Sequence, residues 1–480
     1  MSIRKTIFDT IAISSVNVFR LLAQFLAVPI LSRILSPSDY GVVAMAMPFL
    51  LFAMVIADAG IGMSLVRTSL QENRIWSTCF WLSVMLGAGL ALIMVILAPI
   101  VSTVFVEPRL NPIVMALALV VFVQSLCAIQ GAALQQQQKF RLVAITEIVS
   151  VVVSVAIAIL VAVCGGGAWA LVMQQLALYG VRVVFTVWFS PFRPRFVFNL
   201  REVKEHLMFG RNVLSVNIIG FFSRSIDNLV IGRVLTTAAV GVYSMAFQFA
   251  RLPGMLVTGP LQYVFYAKLV QVKENISAIR RTFLVLTRIL ALLIFPTMGM
   301  VAVAYHPVFT LLLSAKWAPA GRIFMLVSAA SALQAVMGLC GTVRMVLGRT
   351  DYQLKITIES GILWIIGLMF TVRFGLDWLA IAYSIVFILY SPRMLMLALP
   401  LIDCPPGDYI RAVIGPLLVT LLCVAAFLIL DHVLQMGEWA QLLVAAALAI
   451  LGVGISVLTQ YRVLMAELLV WKKEKTLAQA

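Results

Sequence analysis

The chain has 480 residues, of which 63% are hydrophobic and 11% charged, with a formal net charge of +16 and a mean hydropathy of +1.07. Soluble domains hold about 45–50% apolar residues, so a soluble globular enzyme is excluded, and the positive balance points to membrane topology and anionic lipid headgroups rather than to nucleic acid. The apolar runs approach the ~20 residues that cross a ~30 Å hydrocarbon core without alternating with polar residues, which excludes a membrane barrel and leaves helices.

In chain order, spans are expected at about 10–31, 40–65, 76–100, 112–135, 142–163, 168–190, 211–235, 240–267, 282–304, 320–346, 354–372, 376–399, 409–430 and 438–459. The expected fold is all-α, a polytopic membrane protein of about 14 transmembrane helices. Two pseudo-symmetric six-helix bundles, 1–190 and 211–400, are joined by a cytoplasmic amphipathic linker at 191–210 and followed by two further helices and a tail at 401–480. Arg4 and Lys5 precede an apolar run that continues to Ile30 with Arg20 inside it, which marks a retained first span rather than a cleaved signal.

The span-one region is said twice. Ser15-Val16-Asn17 is answered by Ser215-Val216-Asn217, Leu31-Ser-Arg-Ile-Leu-Ser by Ile231-Gly-Arg-Val-Leu-Thr, Gly41-Val42 by Gly241-Val242 and Met45-Ala46 by Met245-Ala246. Apolar bias does not supply Arg33/Arg233, Asn17/Asn217 or Gly41/Gly241, so the chain carries an internal duplication at one constant offset. An even number of spans per repeat gives both halves the same orientation, related by an axis along the membrane normal, with a substrate cavity between them.

Lysine and arginine test this topology. With the N-terminus inside, 25 of the 35 fall in cytoplasmic segments, six outside (Arg33, Arg109, Arg233, Lys316, Arg322, Arg373) and four within spans, so both termini are expected to be cytoplasmic. Between spans six and seven, Asn199-Leu-Arg-Glu-Val-Lys-Glu-His-Leu-Met mixes charge with Val203, Leu207 and Met208 at helical spacing and reads as an amphipathic surface helix.

Ionisable groups inside spans need a reason, because Arg or Asp at a helix centre costs about 2.5–3.5 kcal/mol on insertion scales. Asn17, Arg20 and Gln24 form one polar stripe on span one; Asn217, Arg224 and Asp227/Asn228 form the corresponding stripe on span seven; Ser244, Gln248 and Arg251 form a third on span eight. Such stripes are expected to line a water-filled cavity of positive sign, whose guanidiniums suit an anion with several oxygens; the bland reading is that the arginines snorkel or bridge helices. Asp58, followed by Gly60 and Gly62, is a coupling candidate, a counter-ion for Arg20 or the cap of a broken helix, and Asp227 is a second coupling candidate or the neutraliser of Arg224. Glu147 and Glu359 read as interfacial partners of Arg141 and Lys355, and Arg288 as reaching back to the headgroups.

Pro29, Pro48, Pro253 and Pro296 fall inside spans and allow kinks, with Pro253-Gly254 placed as a hinge or a static bend beside Arg251. The six cysteines, Cys79, Cys127, Cys164, Cys340, Cys404 and Cys423, lack metal-ligand spacing and read as buried small residues. There is no Walker loop, and His206, His306 and His432 have no partner at catalytic spacing. The chain is therefore expected to be a secondary-type transporter and no enzyme, with no cofactor or metal.

Leu31-Ser-Arg-Ile-Leu-Ser-Pro-Ser-Asp-Tyr-Gly41, Ala57-Asp-Ala-Gly-Ile-Gly62 and Leu311-Leu-Leu-Ser-Ala-Lys-Trp-Ala-Pro-Ala320 resemble the polysaccharide-transporter branch of the multidrug/oligosaccharidyl-lipid/polysaccharide exporter superfamily, which includes the Wzx-type flippases. The resemblance covers nearly the whole chain. It implies two six-helix bundles in a V, a bacterial inner-membrane location, and movement of undecaprenyl-pyrophosphate-linked oligosaccharide units to the periplasmic leaflet for capsule, O-antigen or exopolysaccharide synthesis. A polysaccharide polymerase and export machinery are the implied partners. Lipid II flippases of the superfamily also have fourteen spans, the extra pair forming a groove for the lipid tail.

In those relatives cationic residues in spans one, two and eight line the cavity. Arg20 and Arg251 fit that pattern, whereas span two offers Asp58 and no central arginine, so Arg224 is taken to supply the missing charge. The resulting expectation is a flippase working by alternating access, with pyrophosphate on Arg20, Arg224 and Arg251. Asn17, Gln24, Asn217, Asn228 and Gln248 would meet sugar hydroxyls or line the water path, and return of the carrier would draw on the membrane potential or on proton or sodium antiport. The alternatives are a cation-coupled multidrug exporter of the same superfamily, a lipid II flippase, a membrane-embedded polymerase or ligase, and a structural partner in a glycan-synthesis complex.

Overall fold

The computed structural model describes residues 19–20, 22–58, 61–65, 70, 72–204, 214, 226–272 and 274–477. Among these residues the regular structure is helical, with no strand. In the N-terminal half the helices are α1 (Leu22–Ile34), α2 (Pro37–Asp58), α3 (Ile61–Leu65), α4 (Asn73–Val104), α5 (Leu110–Gln136), α6 (Phe140–Val163) and α7 (Trp169–Phe189). They are followed by α8 (226–234) and α9 (Thr237–Ala250). A π-turn at Gly254–Thr258 then leads into α10 (Gly259–Gln271), α11 (Ile276–Val303), α12 (Tyr305–Leu312), α13 (Ala318–Val346), α14 (Thr350–Thr371), α15 (Leu376–Met396), α16 (Pro406–Leu434) and α17 (Glu438–Leu477).

Eleven of the described helices are long and apolar enough to cross a membrane. Of the expected spans, the first is described as helix only near its end, as α1, and the seventh only as α8, while the eighth is broken by the π-turn after Pro253. Outward positions such as Leu92, Ile96, Leu421 and Leu422 are exposed, as a helix that faces lipid requires.

Contacts divide the chain into two compact units, Met1–Ser244 and Met245–Ala480. The expected bundle boundary at 191–210 is not this division, because α8 and the start of α9 pack with the N-terminal unit. In that unit α4 lies along α5, and α6 along α7, with α5 also touching α2 and α7. Ile61, Leu65, Trp76, Phe80, Ile129 and Phe192 form a buried cluster beneath them.

Of the expected amphipathic helix after α7, residues 200–203 are turns and 204 is helical, and the rest of it, from 205, lies outside the described residues. Residues 191–203 run as bends and turns, and those from 205 to 213 lie outside the described residues. Pro191 and Pro194 follow the end of α7, and the irregular segment is tied to α4: Arg195 N–H donates to Ser77 Oγ at 3.0 Å, Trp81 Nε1 to the Arg195 carbonyl at 2.9 Å, and Asn199 N–H to Thr78 Oγ1 at 3.2 Å. Val203, counted on the apolar stripe, is instead buried in the Trp76 cluster.

In the second unit α11 packs on α13, α16 and α17. Gly299 makes the approach of α11 and α16 possible, since a Cβ there would lie 2.4 Å from Thr420 Cγ2, the small-residue contact that lets spans meet in the absence of a hydrophobic drive. Arg344, inside α13 and 1% exposed, is satisfied by Gln353 Oε1 at 2.9 and 3.0 Å and by the Met394 carbonyl at 3.3 Å.

Candidate functional site

The duplicated stretch is also duplicated in its geometry. α1 ends and α2 begins across Leu35-Ser36, and α8 ends and α9 begins across Leu235-Thr236, with Leu35 N–H on the Leu31 carbonyl and Leu235 N–H on the Ile231 carbonyl, both at 2.8 Å. In the first copy Ser36-Pro37-Ser38-Asp39 is a capping box with proline at the first helical position. Asp39 N–H donates to Ser36 Oγ (3.2 Å), while the Asp39 carboxylate accepts from Ser36 N–H (2.9 Å) and Ser36 Oγ (2.6 Å). The second copy keeps half of it, Ala239 N–H on Thr236 Oγ1 at 3.2 Å.

These two junctions meet. A Cβ on Gly41 would lie 1.8 Å from the Thr237 carbonyl oxygen, and one on Gly241 1.9 Å from the Pro37 carbonyl oxygen. The contact is reciprocal, each glycine against the residue that opens the other helix, and neither position has room for a side chain. Beside it, in the loop between α4 and α5, the Glu107 carboxylate accepts from Arg109 Nε (2.8 Å) and Nη2 (2.9 Å) and from Thr237 Oγ1 (2.7 Å), while Arg109 Nη2 also reaches Ser38 Oγ (2.7 Å). The Arg109 guanidinium holds the Glu107 carboxyl down to about 2 from its ordinary 4.5, with help from Thr237.

Below the junction Asp227 is buried and accepts from Tyr243 Oη at 2.8 Å. Asn228 joins three helices, its Nδ2 on the Ala44 carbonyl at 3.5 Å and its Oδ1 accepting from Ser244 Oγ at 3.4 Å. The other residues of the stripes are placed as follows. Arg20 is half-buried and Gln24 exposed on the N-terminal unit. Gln248 and Arg251 are exposed on the second unit, the Arg251 guanidinium lying 5.7 Å from the centroid of the Phe247 ring. Asn17, Asn217 and Arg224 lie outside the described residues.

Asp58 lines a cavity of about 300 Å³ within the N-terminal unit, together with Gln124, Thr146, Glu147, Arg182 and Thr186. Arg182 Nη2 donates to Glu147 Oε2 at 2.7 Å, and the guanidinium lies 4.9 Å from the centroid of Tyr179. Glu147 thus pairs with Arg182 of α7, not with its sequence neighbour Arg141, and two carboxylates stand against one guanidinium. Arg182 and Arg344, which the sequence reading does not single out, sit inside α7 and α13. The sequence reading passes over Arg182, although a cation between Val181 and Val183 inside an expected span is a signal that could have found it; its partner Glu147, thirty-five residues away on another helix, carries no such signal. Glu359 does keep the expected Lys355 (3.9 Å) and adds Arg393 (3.5 Å) and Tyr390 (2.6 Å). All six cysteines are free, and Cys164 is the exposed exception. No cluster of three or more His, Cys, Asp or Glu residues placed to hold a metal ion occurs among the described residues.

Fold and sites together define a multi-pass, all-helical membrane protein with ionisable groups held in cavities among its spans. A family model described as polysaccharide biosynthesis protein matches residues 30–322, well over half of the chain, and the chain belongs to that family. It is 28% identical over 320 residues to the teichuronic acid biosynthesis protein TuaB of Bacillus subtilis (strain 168), covering 66% of each chain. To the succinoglycan biosynthesis transport protein ExoT of Rhizobium meliloti (strain 1021) it is 28% identical over 306 residues, covering 64% of this chain and 62% of that one. The matches span a little under two thirds of the length of these two curated relatives. With the lipopolysaccharide biosynthesis protein WzxC of Escherichia coli (strain K12) the identity is 22%, covering 70% of this chain and 69% of the other.

Among solved structures, the lipid II flippase MurJ in an inward closed conformation superposes with a TM-score of 0.74 at 15% identity, covering 96% of this chain and 100% of that one. An inward-facing multidrug resistance MATE family transporter of the MOP superfamily gives 0.64 at 16% identity, covering 82% and 98%. At these identities the likeness is one of fold.

Proposed function

We propose that the chain is a flippase that moves polyprenyl-pyrophosphate-linked oligosaccharide units across the bacterial inner membrane for surface polysaccharide synthesis. The observation that carries this reading is the family membership, joined to a match with a relative named as a succinoglycan biosynthesis transport protein. The fold likeness to a lipid II flippase over nearly the whole chain is in keeping with it. In this reading about fourteen spans form two pseudo-symmetric six-helix bundles plus a C-terminal pair, with both termini cytoplasmic. Alternating access between the bundles moves the cargo. Arg20, Arg224 and Arg251 hold the pyrophosphate through charge-assisted hydrogen bonds, and Asn17, Gln24, Asn217, Asn228 and Gln248 line the path of the sugars.

The acid-rich cavity at Asp58 suits the coupling step, because a carboxylate beside the Glu147–Arg182 pair is free to take a proton or a small cation. The same excess of carboxylate is what a cation-coupled drug exporter would use, and that is the second reading. Its observable is efflux of cationic dyes that survives loss of Arg20 and Arg251.

The deciding experiment complements a deletion strain with Arg20→Ala or Arg251→Ala, with protein levels checked by blotting. Well-expressed variants that lose polymer export and accumulate lipid-linked units on the cytoplasmic side support the flippase. Export at the wild-type level removes these arginines from the substrate site.

A further inference from the structure

The helices of the second unit carry polar side chains at a depth where hydrocarbon does not tolerate them. Gln334 lies near the middle of α13, Gln248 near the end of α9 and Arg251 just past it, and all three are exposed. Polar groups at membrane depth face a water-filled space rather than lipid. The side chains beside them are aromatic. The Phe247 and Tyr383 rings lie 5.0 Å apart, edge to face, and Tyr383 meets Trp364 in the same manner at 5.2 Å.

Four helices contribute to this cluster. Tyr383 Oη of α15 donates to Gln334 Oε1 of α13 at 3.1 Å, which fixes the plane of the amide and leaves its N–H₂ and the second lone pair of its oxygen to be used. Trp364 comes from α14. Phe247 comes from α9, with the Arg251 guanidinium 5.7 Å from its ring centroid. Phe247 is 4% exposed and backs Tyr383, whereas Tyr383 and Trp364 are half-buried and keep part of their surface open. A cluster that served packing alone would bury its rings and close its polar groups on one another. Here two rings stay open and the amide at their edge is exposed.

That combination suits a sugar ring. A pyranose has an apolar face of C–H groups and a rim of hydroxyls. Its face lies on an aromatic ring, whose negative π surface draws the C–H dipoles. Its rim meets a planar amide, which donates and accepts side by side as a pair of hydroxyls requires. Solute sites in general are apolar or aromatic walls with a few placed polar groups. The other parts of a lipid-linked cargo ask for different partners: phosphate takes guanidiniums, and a prenyl tail would leave the Gln334 amide without a polar partner.

We propose that Trp364, Tyr383 and Gln334 form a stacking site for a sugar ring of the transported unit. The inference rests on the flippase reading and adds to it three residues, on three helices, that recognise carbohydrate rather than pyrophosphate. In this site the rings hold the face of the sugar, and Gln334, oriented by the Tyr383 hydroxyl, reads its hydroxyls.

The test is native mass spectrometry of the purified full chain with two probes in separate arms. One is undecaprenyl pyrophosphate; the other is the lipid extract of a strain deleted for this chain, which accumulates the sugar-bearing form. Wild type is expected to retain the sugar-bearing lipid about fivefold or more over the sugar-free one. In Trp364→Leu that preference should fall to about one, with the sugar-free lipid retained as in wild type, whereas Trp364→Phe, which keeps a ring, should hold at least about half of it. Gln334→Ala, at an exposed position, provides a variant whose folding is not in question and should lower the preference about threefold. Wild type that retains both lipids without preference, or Trp364→Leu and Gln334→Ala with the wild-type preference, overturns the sugar site and leaves the flippase reading standing. Wild type that retains neither lipid, or a deletion strain that accumulates no sugar-bearing lipid, overturns both.

Discussion

The cavity at Asp58 and one in the second unit, between the N-terminal ends of α11 and α16, are built from the same residue types in opposite ratio. Among the described residues, the one at Asp58 is lined by two carboxylates and one guanidinium, with Glu147 and Arg182 paired at 2.7 Å. Among the described residues, the one at Arg288 is lined by four guanidiniums and one carboxylate. In a chain of +16 the second is what bulk composition favours and the first is the departure from it. The difference teaches that the net charge of a membrane protein says little about any one cavity; the local ratio decides whether a cation or an anion is welcome.

The heaviest way to break the contrast is Arg182→Ala. It leaves Glu147 without its partner beside Asp58, and about 3 kcal/mol of stability should go with it, read as a lowered melting temperature in detergent. Arg182→Met with Glu147→Leu should recover most of that loss, because both charges leave together. Polymer export that stays lost in the recovered double variant would tie the cavity to transport rather than to folding.

Asp408→Asn acts on the other cavity and should cost about 1 kcal/mol, since its pair with Arg280 is partly exposed. Asp58→Asn should change stability by less than about 0.5 kcal/mol, being exposed to the cavity. The informative reading is the pH profile of export, which flattens if this carboxyl takes the coupling proton and keeps its shape if it does not.

Glu107→Gln removes a contribution that is present at neutral pH and vanishes in strong acid. Glu107 is lowered in the fold to about 2 from 4.5, so the stability it contributes is fully present above 4.5 and is lost as pH falls through 2. An acid-denaturation series should show the variant lacking that part of the slope. Any pH response of export above about pH 5 therefore originates elsewhere.

Much of this was readable in the residues. Apolar runs mark the long helices because crossing hydrocarbon demands them. Ser36-Pro37-Ser38-Asp39 announces its own capping box, and Gly41 and Gly241 stood out in the repeat before their mutual contact was known. What could not be read was which helices are neighbours. Periodicity identifies a face but not what it faces, so Glu147 was assigned to nearby Arg141 rather than Arg182, and nothing near Glu107 names Thr237. The path after α7 was not legible either: Pro191 and Pro194 mark where the helix ends, but nothing in the sequence says that the residues after them are tied to α4.

The π-turn at Gly254–Thr258 has a consequence for how the helix around it presents itself. One extra residue in a turn sets the following helix back by roughly 100°. By ordinary helical counting Thr258 continues the stripe of Ser244, Gln248 and Arg251. Instead it is buried, its hydroxyl on the Ala335 carbonyl at 3.0 Å, while Gln248 and Arg251 stay exposed. The single helix drawn from the sequence is thus two surfaces out of phase, one free to meet a solute and the other locked to α13, and removing one residue between them would swap what each is able to touch.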